Sequence, residues 1–247
     1  MTPKYSVVLT TYFRRFEEWM KPIVIQIKKE RPDIELIVVI NGEQEEDFHE
    51  DFRHGVLDFL KEFPNTFPVI FPKFRSMSFM WNTGIRLSTH ENVLVTEEDI
   101  TLQDGFFDVY EQSLAQSLQT NTKSFVINGS YSCFSVDKRE VIETGWFDER
   151  LLGLGHEDGE YCERYCKLKG LNSFPSHTIA ECANTLDNEK LANFIHSEVR
   201  LSGQNLCSQF NRYSRFNEIL KPSVSATPNI EKQYPHELFY LDNKHNL

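Results

Sequence analysis

The chain has 247 residues, with 26 Lys and Arg against 37 Asp and Glu, for a formal net charge of −11 at pH 7. Its 40% hydrophobic and 26% charged residues match a soluble globular protein, long enough for one large domain, or one domain with an appendage, with its own core. The acid excess argues against a nucleic-acid-binding face, and 20 Phe, 9 Tyr and 3 Trp argue against a disordered chain.

In chain order, the run 5–9 is short and β-branched and ends in Thr10-Thr11-Tyr12; the run 34–40 ends similarly in Asn41-Gly42. Both read as strands buried on two faces of a parallel sheet. Between them Phe16, Trp19, Met20, Ile23 and Ile27 recur at three-to-four spacing, a helical stripe. The three segments make a strand–helix–strand unit, which places ligands beyond the carboxyl ends of its strands. Residues 43–62 predict a loop and a surface helix, where Glu43, Glu45, Glu46, Asp47, Glu50, Asp51, Asp58 and Glu62 face only Arg53 and Lys61. A short strand at 69–71, a helix at 77–87 and a buried strand at 92–96 follow. Asp104-Gly105 opens a helix to residue 119. Residues 124–128 and 131–136 read as strands, 137–143 as a short helix, and 158–169 as a helix stopped by Gly170. Past Pro175 the pattern weakens to helices at 187–201 and 204–216 and a polar, Pro-punctuated tail.

Five cysteines (Cys133, Cys162, Cys166, Cys182, Cys207) are odd in number and form no CxxC pair, unlike a secreted disulfide framework. The start shows no signal-peptide pattern, and no run approaches the ~18 apolar residues of a membrane span. The expectation is a cytoplasmic protein, compatible with peripheral attachment at the inner face of the membrane.

Two acidic clusters stand out. The apolar strand at 92–96 stops at Glu97-Glu98-Asp99, three acids that repel one another unless a cation neutralises them. Alternation along an extended chain brings Glu97 and Asp99 to one side with Glu98 facing away. Hard oxygen ligands of this kind suit Mg²⁺ or Mn²⁺; a solvated acidic turn is the plainer alternative. The second cluster is Gly153-Leu154-Gly155-His156-Glu157-Asp158-Gly159-Glu160, where Glu157 and Asp158 fall near a helix N-terminus whose dipole favours ionised carboxylate. That suits a general base, and Asp158 equally suits an N-cap. Other motifs fail. Gly153, Gly155 and Gly159 miss the dinucleotide spacing, no Walker A sequence is present, and His156-Glu157 lacks the second His of a zinc-protease helix. Cys162 and Cys166, one helical turn apart near His156, invite zinc but read as small apolar residues.

Four separated segments together resemble the GT-A fold nucleotide-sugar glycosyltransferases, in particular the large family-2 group. Ser6-Val7-Val8-Leu9-Thr10-Thr11-Tyr12-Phe13-Arg14 is similar to that family's S-V-V-I-P-T-Y-N-R, with Thr10 for Pro and Phe13 for Asn. The strand from Ile37 to Gly42 resembles I-V-V-D-D-G, with Ile40 and Asn41 in place of the two acids. Asn82-Thr83-Gly84 and Glu97-Glu98-Asp99 resemble the N-x-G and D-x-D elements at matching separation, with Glu97 replacing the first Asp. Gly145-Trp146-Phe147-Asp148-Glu149 through Glu157-Asp158 to Arg164 and Gly170 resembles G-x-F-D-E … G-x-E-D … R … G.

The resemblance implies an α/β fold: a single GT-A type (Rossmann-like) domain with a mostly parallel central sheet flanked by helices and a less regular helical C-terminal segment. Its expected divisions are a core at 1–170, with a nucleotide-sugar half at 1–104 and an acceptor-side half at 105–170, and an extension at 171–247. It implies a hexosyl- or N-acetylhexosaminyl-transferase using a nucleotide-sugar donor, UDP-linked by preference, and a glycan or lipid-linked glycan acceptor. Asp158 would be the base of an inverting reaction, with Glu157 beside it. Thr11, Tyr12, Asn41, Arg75, Asn82, Glu97 and Glu98 would contact the nucleotide sugar. Mn²⁺ or Mg²⁺ would be held by Asp99 and Glu97 with a His, for which His196 is preferred over His177 because His196, Ser202 and Arg215-Phe216-Asn217 resemble a family-2 C-terminal pattern. A non-catalytic sugar- or nucleotide-binding module, a nucleotidyltransferase and a retaining transferase are the alternatives.

Overall fold

Residues 4–12, 15–42, 50–72, 75–149 and 157–184 are described by a computed structural model of the chain. One unit takes in the described residues up to Arg75, those of Met80–Glu140, and 175–184; a second takes in Ser76–Phe79 and the described residues of Val141–Phe174.

The first unit is organised by strand β1 (Tyr5–Tyr12), which pairs in parallel with β2 (Leu36–Asn41) on one side and β4 (Asn92–Glu97) on the other. Beyond β2 lies a parallel edge strand, β3 (Thr66–Ile70). Beyond β4 the pairing reverses: β7 (Ser130–Asp137) runs antiparallel to β4 and to β6 (Phe125–Ile127), and β6 pairs in parallel with β8 (Ser176–His177). The sheet order is therefore β3-β2-β1-β4-β7-β6-β8, and a separate two-stranded ribbon joins β5 (Ile100–Leu102) to β9 (Cys182–Asn184). The sheet is mostly parallel and flanked by helices, as the sequence implies. Strands β5, β8 and β9 have only two or three residues, too short for a periodic signal, and the sequence reading does not contain them.

The uninterrupted apolar runs of β1, β2 and β4 are explained by burial on both faces: Val7, Val8, Leu9, Val38, Val39, Leu94 and Val95 are all fully buried. Alternation then sorts the side chains. Tyr5, Val7 and Leu9 join Leu36, Val38, Ile40 and Leu94 in one core, covered by Ile23, Val24 and Ile27 of α1 (Lys21–Glu30) and by Phe106, Phe107, Tyr110 and Leu114 of α4 (Phe106–Ser117). Val8 and Val39 face the other way, against Gly84 of α3 (Met77–Leu87). The stripe that predicts one helix from Phe16 is divided, because Phe16–Met20 is a wider π turn before α1 begins. The acidic segment's helix is α2 (Glu50–Leu60), with surface pairs Arg53–Glu50 and Lys61–Asp58. Helix α5 (Lys138–Thr144) follows β7 directly.

In the second unit, α6 (Glu157–Lys169) carries a buried aromatic and ionic face. Tyr161 stacks on Phe147 with centroids 4.0 Å apart, and Tyr165 meets Phe174 at 4.6 Å. Arg164 donates to both carboxylate oxygens of Glu160 (2.8 and 2.7 Å) and to the carbonyls of Thr144 and Trp146 (2.6 Å each). Trp146 has φ +64°, a left-handed conformation that a bulky residue rarely adopts; its carbonyl is one that Arg164 holds. The helices expected at 187–201 and 204–216 lie outside the described residues.

Candidate functional site

The first two parallel connections of the sheet run outward from β1 to β2 and β3, and the next returns to β4 on the opposite flank of β1. The strand order thus reverses between β1 and β4, and an open α/β sheet forms its binding crevice at the carboxyl ends of strands beside such a point. The register brings the relevant ends level: Tyr12 pairs with Asn41, and Thr10 with Glu97. Thr11 and Asn41 are buried there.

Asn41 is the hinge pin of one side. Its Oδ1 accepts the backbone N–H groups of Arg75 (2.7 Å) and Gly42 (3.0 Å), and its Nδ2 donates to the Arg75 carbonyl (2.8 Å). The amide thereby ties the segment before α3 to the end of β2 and brings together two residues expected at the nucleotide, Asn41 and Arg75. Among the described residues one amide N–H is left for another acceptor. Asn82 is fully buried within α3. The backbone of Tyr12 ends β1.

On the other side the extended chain stops at Glu97, and Glu98 and Asp99 form the turn into β5. The alternation expected for Glu97, Glu98 and Asp99 therefore does not continue past β4. Glu98 is turned inward, 6% exposed, and paired with Arg15 Nη1; Asp99 Oδ2 lies 4.0 Å from the same nitrogen. Burial pushes the Glu98 carboxyl up to about 7 against the pull of Arg15. Burial likewise raises Asp99, again opposed by Arg15. Arg15 stays charged: desolvation opposes its charge, but Glu98, then Asp99 and Glu97, outweigh that cost. Asp99 Oδ1 is buried and has no hydrogen-bond partner among the described residues.

In the second unit Glu157 is buried and Asp158 is partly exposed. Both lie inside the first turn of α6, so Asp158 is a first-turn acid rather than the cap; its Oδ1 accepts the N–H of Gly159 at 2.7 Å. Gly170, at φ +69°, follows the end of the helix.

His177 sits on the edge strand β8, with Nε2 2.9 Å from Ser117 Oγ and its ring 4.5 Å from Phe125; burial lowers its pKa. His196, the preferred third metal ligand, lies outside the described residues, as do Ser202, Arg215 and Asn217. Cys162 and Cys166 are free thiols that burial raises, Cys166 to about 12, in keeping with apolar packing.

No protein-family model and no curated protein matches the chain by sequence. Solved structures do match it. S. aureus TarS superposes with a TM-score of 0.55 at 13% identity, over 77% of this chain and 38% of that one. TarS residues 1–349 give 0.52 at 13%, over 72% and 58%, and the same fragment in complex with UDP-GlcNAc gives 0.51 at 12%, over 99% and 89%. This chain has the GT-A fold. It spans well under half the length of the full TarS chain.

Within this GT-A sheet, Arg15 is the site residue that the sequence reading lacks. It lies just past β1, where the quoted motif ends, and 83 positions separate it from Glu98. Nothing in local spacing joins the two; the one available signal was a basic residue following a strand whose neighbour ends in three acids.

Proposed function

We propose that the chain is a glycosyltransferase that moves a hexosyl or N-acetylhexosaminyl group from a nucleoside-diphosphate donor, UDP-linked by preference, to a hydroxyl of a glycan or lipid-linked glycan. The supporting observation is the convergence, at the reversal point of the sheet, of buried Thr11, the Asn41–Arg75 clamp and the Glu97–Asp99 strand end. The GT-A fold is consistent with this reading, and S. aureus TarS has been crystallised in complex with UDP-GlcNAc and with UDP.

A divalent cation, Mn²⁺ or Mg²⁺, fits the residues at the end of β4. The available donors are carboxylate oxygens, and Asp99 Oδ1 is a buried acceptor without a partner among the described residues. No group of three or more His, Cys, Asp or Glu side chains that could hold an ion is found among the described residues. Asp99 and Glu97 would therefore hold the ion jointly with the donor diphosphate, and with His196 in our reading. When bound, the ion supplies charge compensation for the diphosphate and its leaving group.

The remaining roles fall to side chains of the chain itself. Thr11 and the second amide N–H of Asn41 would orient the nucleoside, together with Tyr12 on the strand of Thr11 and Asn82 on α3. The Arg75 guanidinium would pair with phosphate through its planar fork. Asp158, with Glu157 beside it, would take the proton of the acceptor hydroxyl as that oxygen attacks the anomeric carbon and inverts it. No helix among the described residues is long and apolar enough to cross a membrane.

A thermal-shift panel of nucleotide sugars, each with and without Mn²⁺, tests the proposal. Stabilisation by a uridine-linked sugar that depends on metal is the expected result. Indifference to every nucleotide sugar removes the proposal, and stabilisation without donor hydrolysis or transfer leaves a binding module.

A further inference from the structure

A guanidinium stands where the three acids at the end of β4 call for a cation. Arg15 and Glu98 are both nearly buried, with 12% and 6% of their side chains exposed, and Arg15 reaches toward Asp99 with the same Nη1 that holds Glu98. The guanidinium carbon also lies over the Trp19 ring, 5.8 Å from its centroid. Arg15 cannot yield its charge by losing a proton at any ordinary pH. Asp99 is thus shared: one oxygen sits at the limit of ion-pair range from Arg15, and the other is buried without a partner among the described residues.

We propose that Arg15 is a resident counter-cation that competes with the divalent ion at Asp99, so that the site binds metal weakly until a nucleoside diphosphate arrives. The inference rests on the reading of Asp99 and Glu97 as metal ligands. Its physical basis is like-charge repulsion. A fixed positive charge a few ångströms from a divalent ion opposes binding even when solvent screens much of the interaction. A diphosphate adds negative charge that offsets both cations, which makes metal and donor binding mutually reinforcing. Glu98 has a defined part in this: by holding Nη1 it keeps the guanidinium from closing fully on Asp99.

The test is Mn²⁺ binding to the full chain without nucleotide, followed by the electron paramagnetic resonance signal of free Mn²⁺. Four chains are compared: wild type, Arg15→Gln, Arg15→Lys and Glu98→Gln. Removing the charge in Arg15→Gln tightens Mn²⁺ binding by at least about tenfold. Arg15→Lys, which keeps the charge, stays near wild type, and Glu98→Gln, which releases the guanidinium toward Asp99, binds more weakly. A purely structural Arg15 would lower the melting temperature of Arg15→Gln without tightening Mn²⁺. Equal or weaker Mn²⁺ binding by Arg15→Gln overturns the proposal, as does the absence of Mn²⁺ binding in all four chains. Should Arg15→Gln fail to fold, Glu98→Gln decides: unchanged or tighter binding overturns it. Calorimetry with UDP-sugars on the same wild-type chain reports separately on the glycosyltransferase reading. Loss of that reading with the Mn²⁺ order intact leaves Arg15 as the competitor at a metal site of another purpose.

Discussion

Gly84 in α3 meets Val8 in β1 with no room for a methyl group. A Cβ on Gly84 would lie 2.3 Å from Val8 Cγ1, 3.1 Å from Val8 Cγ2 and 3.3 Å from Val39 Cγ2. Both valines are fully buried in the middle of the sheet, so neither side chain yields without moving its strand. The glycine of Asn82-Thr83-Gly84 is thus a contact surface that lets α3 lie close on the sheet whose ends form the candidate site. Replacing it by alanine gains ~1 kcal/mol of helix propensity but overpacks the contact, which costs roughly 1–3 kcal/mol and more where nothing can relax. The overlap is severe enough for the second effect to win. Gly84→Ala should lower unfolding stability in urea; an unchanged or higher midpoint would mean that α3 can slide away freely.

Arg164 and Glu160 form a buried pair one helical turn apart, 6% and 0% exposed. Arg164→Leu strands the Glu160 carboxylate and leaves the Thr144 and Trp146 carbonyls without that donor, a loss of about 3–5 kcal/mol. The double variant Arg164→Leu/Glu160→Leu should be less damaged than the single one, because no charge is left buried alone. Chemical denaturation of the three chains checks the order. A double variant as unstable as the single would place the cost in the carbonyls around Trp146 instead.

Lys28 supplies a pH signature. It is 5% exposed, donates to the carbonyls of Ile34 (2.7 Å) and Pro64 (2.5 Å), and burial lowers its pKa to about 8. A lysine depressed on folding binds fewer protons than in the unfolded chain between its folded and unfolded pKa values, so stability rises with pH across that window. Measured against Lys28→Met, wild type should gain up to about 3 kcal/mol as pH climbs from 7.5 to 10.5. A difference between the two chains that stays flat with pH refutes the shift.

The catalytic reading separates two acids by what each variant loses. Asp158→Asn should lower kcat by about 10²–10⁴-fold, the usual contribution of a general base, and leave donor affinity intact. Asp99→Ala should instead lose metal-dependent nucleotide binding. Weakened donor binding in Asp158→Asn argues against its role as base. Retained, Mn²⁺-dependent tight binding in Asp99→Ala argues against its role as ligand.

Much of the fold was legible because its signals are local. Residues 7–9 and 36–40 are apolar at every position, as strands buried on both faces are, and the spacing in 77–87 predicts a helix whose bounds the structure reproduces. The short strands β5, β8 and β9 escaped because two or three residues carry no period, and their strand character comes from partners far along the chain, such as Cys182 opposite Leu102. The site divides the same way. Asn41 was legible as a polar residue ending a buried strand, but its grip on the Arg75 backbone was not.

The three acids ending β4 show where that boundary falls. The sequence by itself determined that Glu97, Glu98 and Asp99 follow a buried strand directly, and left a bound cation and a solvated acidic turn as the two answers to their repulsion, since apolar run and acid cluster are adjacent in the chain. Only the tertiary structure decided that Arg15 answers Glu98 and reaches for Asp99. The energy of a buried ion pair depends on distance and desolvation in space, and both arise when the end of β1 is laid beside the end of β4.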